Sequence, residues 1–285
     1  MDRKNNNNHL IGLYEKALPD DLSLEDKLSM IGRAGYSFME ISIDSSKERL
    51  ERLKWDNLKI KKFRDLIQES EIPVISLCLS ANRDYPIGSS FKELRDKGME
   101  IMEGAIWFAF HTGIRIIQVA GYDELMDKIS TTKTRETYLN NLKKSIELAS
   151  RLGVLLAIEN VDVLSADSIR KILYFVNKIR SPWLNIYPDV GNLYAMKQDV
   201  LKELKLGKDH IVAIHIKDTL EGVVRRVPYG EGNVDFISIF KELKKFDYHG
   251  LLLLEMWANN DRDNYKIISD SKKWIEYKME KAGYL

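Results

Sequence analysis

The sequence predicts a single (β/α)8 barrel over residues 9–285. Three observations carry that reading. Eight short apolar runs recur at intervals of roughly 26 to 42 residues, the length of one strand–helix unit. Most of them are continuously apolar rather than alternating, as parallel strands covered on both faces are. Segments of helical periodicity alternate with them and no Pro-, Gly- or Ser-rich linker divides the chain, which favours one closed barrel over two domains.

The elements follow in order. Residues 1–8 (MDRKNNNN) read as a mobile tail, with no apolar core that would make a secretory signal. The eight strand-like runs are His9–Tyr14, Phe38–Ile43, Val74–Leu79, Arg115–Ala120, Val154–Glu159, Leu184–Tyr187, Ile211–Ile216 and Leu251–Glu255. After the first, LSLEDKLSMIGRAG sets Leu24, Leu28 and Ile31 at helical spacing, with Ser23 as N-cap, Asp26 three residues on and Gly35 as terminator. Helical texture also marks 97–113, ending at Gly113, and 136–153, ending at Gly153. It recurs over Ser168–Ile179, Asp235–Phe246 and 271–283. The longest loops are expected after strands three, four and seven.

Composition narrows the function. The chain has 285 residues, 44 basic and 43 acidic, for a formal net charge of +1. That balance gives no reason to expect nucleic acid or an anionic membrane as partner. No apolar stretch approaches the ~20 residues that span a bilayer. The single cysteine, Cys78, sits inside an apolar run and reads as a buried, inert thiol in a reducing cytoplasm.

The informative feature is the way four runs end. VLLAIEN carries Glu159, LNIYPDV carries Asp189, VAIHIKD carries His215 and GLLLLEMW carries Glu255. Barrel active sites form at the C-terminal ends of the strands, so these four residues from neighbouring strands five to eight meet on one rim. Taken singly, each has an ordinary role: Asp189 a turn or cap, His215 a hydrogen-bonded core imidazole, either glutamate an ion pair. Taken together, three carboxylates and an imidazole suit one divalent ion (Zn, Mn, Mg or Co). A glutamate closing a run as apolar as LLLL is costly to bury without a cation. Polar residues at the same strand ends, Glu40, Ser80, Arg83, Asn192, Lys217, Arg225 and Arg226, are candidate substrate contacts. Arg83, Lys217, Arg225 and Arg226 are the candidates for a phosphate. The Gly230–Glu231–Gly232 turn lacks the P-loop pattern and reads as the entry to a helix.

A divalent ion can chelate the carbonyl and adjacent hydroxyl of a ketose and stabilise the charge left when a carbon-bound proton departs. Glu159 and Glu255, from strands five and eight, are the natural pair for removing that proton on one face and returning one on the other. The outcome is inversion at one carbon through an enediolate.

At these residues the chain resembles the sugar-phosphate epimerases of the xylose-isomerase-like barrel superfamily, in particular the L-ribulose-5-phosphate 3-epimerases. The resemblance runs through GLYEKALP (Gly12–Pro19), EISID (Glu40–Asp44), CLSANRDYPIGS (Cys78–Ser89), IRIIQVAGYD (Ile114–Asp123), YPDVGNLYA (Tyr187–Ala195), HIKDT (His215–Thr219), VPYGEGNVDF (Val227–Phe236) and LLLLEMW (Leu251–Trp257). It implies Glu159, Asp189, His215 and Glu255 as metal ligands, the two glutamates as acid/base pair, and a pentulose 5-phosphate as substrate. A cytoplasmic place in pentose phosphate metabolism and ascorbate utilisation is implied as well, as is a homo-oligomer, in particular a dimer. The chain departs from the family pattern at Asn82, Asp84 and Asn160. Rival readings are an aldose–ketose isomerase, a 3-epimerase of unphosphorylated ketoses and a non-catalytic sugar-binding barrel. An apurinic endonuclease of the same superfamily needs a histidine-rich metal cluster, and His9, His111, His210 and His249 are not at the C-terminal ends of strands.

Overall fold

The structure is a computed structural model that describes residues 9–259 and 262–285; the expected tail at 1–8 lies outside the described residues. Eight strands, all paired in parallel, form one sheet: β1 (Ile11–Tyr14), β2 (Phe38–Ser42), β3 (Val74–Leu79), β4 (Ile116–Ala120), β5 (Leu155–Glu159), β6 (Leu184–Ile186), β7 (Ala213–Ile216) and β8 (Leu251–Leu254). Their order is β6-β5-β4-β3-β2-β1-β8-β7. Two further parallel bridges, Ile186↔Ile211 and Asp189↔His215, join the β6 and β7 edges and close the circuit.

The helices are α1 (Leu24–Arg33), α2 (Lys47–Leu50), α3 (Asn57–Ser70), α4 (Lys92–Thr112), α5 (Thr132–Leu152), α6 (Ile169–Ile179), α7 (Val190–Ala195), α8 (Val200–Gly207), α9 (Phe236–Lys245) and α10 (Asn264–Ala282). Ser23 caps α1 by accepting the Asp26 amide at 3.0 Å, as its spacing predicts. Gly113 and Gly153 end α4 and α5 in the left-handed region, at φ 87° and 67°. The sequence patterns did not mark α3 and α8. The only fully buried side chain of α3 is Phe63, so its polar turns carry little apolar periodicity.

Strand parity sorts the core into two layers. Leu13, Met39, Ile41, Leu77, Ile117, Val119, Leu156, Ile158, Ile214, Ile216, Leu252 and Leu254 belong to the large apolar layer shared with the helices. The opposite parity points into the barrel. There Tyr14, Phe38, Cys78 and Leu253 form one small cluster, and Ala157, Tyr187 and Ala213 another. The same inward parity carries Glu40, Ser42, Ser76, Gln118, Glu159 and His215, all buried. The barrel interior is therefore apolar only in part, and its polar side chains gather towards the C-terminal ends of the strands.

One buried carboxylate props up the rim beside β1. Glu15, fully buried, pairs with Arg52 through both oxygens at 2.6 and 2.7 Å and accepts the Ser42 amide at 2.8 Å. Lys27 and Arg49 approach it at 3.7 and 3.9 Å. Burial alone would raise its pKa, but Arg52, Arg49 and Lys27 outweigh it and hold the carboxyl at about 2. An unfolded glutamate takes its proton near pH 4.5. The stabilisation from this cluster is thus complete above about pH 4.5 and drains away as pH falls towards about 2. Glu15→Gln strands Arg52 without a counter-charge, so denaturant unfolding at pH 7 should show a loss on the order of 3–5 kcal/mol. The variant should also show a shallower decline than wild type between about pH 4.5 and 2, the remainder coming from other depressed carboxylates such as Glu255; a parallel decline in both proteins would contradict this assignment.

Candidate active site

Four loop–strand junctions deliver the central residues. Glu159 is the last residue of β5, His215 lies in β7, and Glu255 follows β8 directly. Asp189 lies between β6 and α7 and is the N-cap of α7: its Oδ1 accepts the Asn192 amide at 2.9 Å. Capping thus fixes the carboxylate and leaves Oδ2 turned to the centre. The buried side chain of Asn160 clamps the Asp189 backbone from β5, donating to its carbonyl at 3.0 Å and accepting from its amide at 2.9 Å. Asn160 thus fixes the chain at Asp189.

All four side chains are buried, and one ligand atom from each lies within 4.8 Å of the others. His215 Nδ1 is 2.8 Å from Glu159 Oε1, and its Nε2 is 2.9 Å from Glu40 Oε1. Ser76 donates to the other Glu40 oxygen at 2.6 Å. Gln118 Nε2 donates to Glu159 Oε2 at 2.5 Å. Lys217 Nζ lies 2.5 Å from Asp189 Oδ2, 2.7 Å from Glu255 Oε2 and 2.9 Å from Asn192 Oδ1.

The electrostatics follow from crowding. Burial raises the Glu159 pKa against the pull of His215, and Glu255 adds to the rise. Burial pushes Asp189 up to about 7 despite Lys217, with the Glu255 and Glu159 charges adding. At Glu255 burial is outweighed by Lys217 and His215, which hold it at about 2. Burial opposes a charge on His215, but Glu40 and Glu159 raise its pKa well above the ordinary value. Four buried carboxylates, Glu40, Glu159, Asp189 and Glu255, thus face one lysine and one imidazole. Asp189 Oδ2, despite its contact with Lys217, accepts no well-directed hydrogen bond. Four carboxylates against one lysine and one imidazole make an oxygen-rich set with excess negative charge, which fits a divalent cation. The partners behind the ligands, Gln118 on Glu159, Glu40 on His215 and the Asn192 amide on Asp189, are the kind that orient metal-binding groups.

A chamber of about 380 Å³ opens over this cluster, lined by Glu159, Glu255, Tyr14, Cys78 and Trp257. A wider cleft of about 950 Å³ adjoins it and shares Lys16, Asp44, Glu255 and Trp257. The expected substrate contacts fall in different places. Ser80, Arg83 and Arg225 line the chamber, and Arg226 lines the cleft. Arg225 is held by Asp162 at 2.9 Å, and the Arg83 guanidinium lies 5.8 Å from the centre of the Tyr122 ring. Two of the candidates have partners within the cluster itself. Glu40 lines neither space; it stands behind His215, because the inward parity of β2 drives it under the imidazole. Lys217 lines the cleft, with its ammonium against Asp189, Glu255 and Asn192. Asn192 is likewise turned to Lys217 and to the Asn160 carbonyl at 3.0 Å. The Gly230–Gly232 turn offers no anion cradle, since Asp218 already accepts both its glycine amides, at 2.8 and 3.1 Å. Sequence reasoning missed Gln118, Ser76, Lys16 and Trp257. For Gln118 and Ser76 the signal was present: each is the lone polar residue within an apolar strand.

Comparison with known proteins places these features. A family model described as xylose isomerase-like TIM barrel matches residues 29–278. L-ribulose-5-phosphate 3-epimerase UlaE of Escherichia coli O157:H7 (strain EC4115 / EHEC) is 42% identical over 273 residues, covering 96% of each chain. Among solved structures, L-ribulose 3-epimerase superposes with a TM-score of 0.78 at 21% identity, covering 96% of this chain and 95% of that one. The 3-keto-D-glucoside 4-epimerase YcjR from E. coli superposes with a TM-score of 0.77 at 19% identity, covering 94% and 99%. The two structures are alike in fold.

Titration of chelator-stripped protein with Mn(II) should find one site per chain. Asp189→Ala and His215→Ala should abolish it, and Glu40→Gln should weaken it on the order of 10–100-fold. Unchanged affinity in the Asp189 and His215 variants would remove the cluster from consideration as a metal centre.

Proposed function

Because the chain belongs to the xylose isomerase-like TIM-barrel family, we propose that it is a divalent-metal-dependent sugar-phosphate epimerase. In this reading it inverts C3 of a pentulose 5-phosphate, interconverting L-ribulose 5-phosphate and L-xylulose 5-phosphate. The observation that carries the reading is that Glu159 and Glu255, from strands on different sides of the cluster, both face the one chamber above Asp189 and His215. The 42% identical relative, itself an L-ribulose-5-phosphate 3-epimerase, supports it.

A divalent ion (Zn, Mn, Mg or Co) held by Glu159, Asp189, His215 and Glu255 would polarise the ketose carbonyl and stabilise the charge that develops on deprotonation. The remaining work falls to the chain. One of the two glutamates removes the C3 proton from one face of the sugar. The other delivers a proton to the opposite face of the enediolate, and the pair exchange roles in the reverse direction. Lys217 keeps Glu255 ionised, and Gln118 and His215 hold the two oxygens of Glu159. Ser80, Arg83, Arg225 and Arg226 remain the contacts assigned to the rest of the sugar phosphate. Arg83 and Arg225 line the chamber, and Lys217 and Arg226 line the cleft beside it. A homodimer and a cytoplasmic setting remain part of this reading; among the described residues, no helix is long and apolar enough to cross a membrane.

The test is proton exchange at C3. Metal-replete protein in D2O with L-ribulose 5-phosphate should exchange the C3 proton and build up the C3 epimer, followed by NMR, and chelation should stop both. Glu159→Gln and Glu255→Gln should each lower kcat on the order of 10²–10⁴-fold. Absence of C3 exchange in a metal-replete sample would sink the proposal. Exchange at C1, or activity on free ketoses alone, would move the assignment to an isomerase or to an epimerase of unphosphorylated sugars.

A further inference from the structure

Gln118 is the central residue of β4, fully buried on the inner face of the barrel. Its register neighbours are Cys78 on β3 and Ala157 on β5. Its Nε2 lies 2.5 Å from Glu159 Oε2, while its Oε1 has no hydrogen-bond partner. The orientation of the amide is fixed by chemistry, because an ionised carboxylate only accepts and the end that meets it must be the NH2. A buried amide with one end unpaired costs stability, and an apolar side chain of similar length would avoid that cost. The geometry points to Gln118 as a positioning residue for Glu159, kept for the one hydrogen bond it donates. This inference rests on the reading of Glu159 as an acid/base group.

The bond completes a chain across the barrel. Ser76 donates to Glu40, Glu40 meets His215 Nε2, His215 Nδ1 meets Glu159 Oε1, and Gln118 holds Glu159 Oε2. Glu159 is therefore gripped at both oxygens, by β7 on one side and by β4 on the other. Two contacts on one carboxylate fix the torsion of its plane, and small errors in the placement of a proton-transfer group cost about two orders of magnitude in rate. Loss of the Gln118 contact leaves one grip, through His215, and frees the carboxylate to turn. Asp189, His215 and Glu255 are untouched by the change, so an ion can still be bound at saturating concentration.

Gln118→Met tests this, since methionine matches the length of glutamine and donates no hydrogen bond. The variant should fold, with a melting temperature somewhat below wild type, because Glu159 Oε2 loses its donor while the unpaired Gln118 Oε1 is removed. Its Mn(II) affinity should fall no more than on the order of 10–100-fold, so kinetics are read at saturating Mn(II), where KM for L-ribulose 5-phosphate should be unchanged. Its kcat should fall on the order of 10–100-fold, and its crystal structure should show the Glu159 carboxylate rotated or split between rotamers. Gln118→Glu, which keeps the shape and sets a second carboxylate against Glu159, should not restore kcat. Wild-type kcat in Gln118→Met with Glu159 unmoved would overturn the inference, as would a loss of kcat that merely follows a loss of bound metal. Absence of C3 exchange in the wild-type protein would instead overturn the epimerase reading, and the position of Glu159 in the variant crystal would still decide whether Gln118 places it.

Discussion

A carboxylate taken out of water needs a counter-charge or a full set of hydrogen bonds. This protein gathers four such groups, Glu40, Glu159, Asp189 and Glu255, at one end of a barrel, none more than 8% exposed. Much of the local architecture answers that demand. The closure of the barrel is part of the answer. The β6 and β7 edges meet through Asp189↔His215, with the His215 amide donating to the Pro188 carbonyl at 2.9 Å. The contact that completes the sheet therefore also sets an aspartate beside a histidine in the site. The Asn160 clamp on Asp189 and the Lys217 bridge between Asp189 and Glu255 extend the same principle to the neighbouring strands.

The rim beside β1 shows a contrasting solution. Glu15 is as deeply buried as Glu40, yet three cations, Arg52, Arg49 and Lys27, surround this one carboxylate. Its charge is overbalanced, its oxygens are fully used, and its pKa falls. The site cluster is the reverse, with four carboxylates to one lysine, two carboxyl groups pushed up and an aspartate oxygen left without a directed partner. Charge balance thus separates the two clusters: one is closed and structural, the other is open to a cation. Both stand at the C-terminal ends of strands, so position alone would not distinguish them.

The barrel and the four central residues were legible in the sequence because they rest on strong signals. Continuous apolar runs at unit spacing report a covered parallel sheet, and a ligand-type residue at the end of a run such as LLLLE has few structural explanations. The second layer of the site was harder to read. Glu40, Ser76 and Gln118 lie within strands rather than at their ends, and only the inward parity of β2, β3 and β4 turns them to the centre. Glu40 was read as a substrate contact because the sequence locates it near the rim without saying which residue it lies behind. The ion pairs of Lys217 are equally hidden in the sequence, because nothing local reveals two carboxylates arriving from the ends of β6 and β8. The polar helix α3, with Phe63 as its one buried anchor, left too faint a periodicity to be seen.

The account depends on the open cluster holding a divalent ion among those four side chains. Anomalous diffraction from crystals of the full chain equilibrated with Mn(II) tests this most directly. The account predicts a single strong peak about 2.0–2.3 Å from an oxygen of each of Glu159, Asp189 and Glu255 and from His215 Nδ1, with Lys217 drawn back from Asp189. No peak there, with Lys217 still seated between Asp189 and Glu255 at saturating Mn(II), would contradict it.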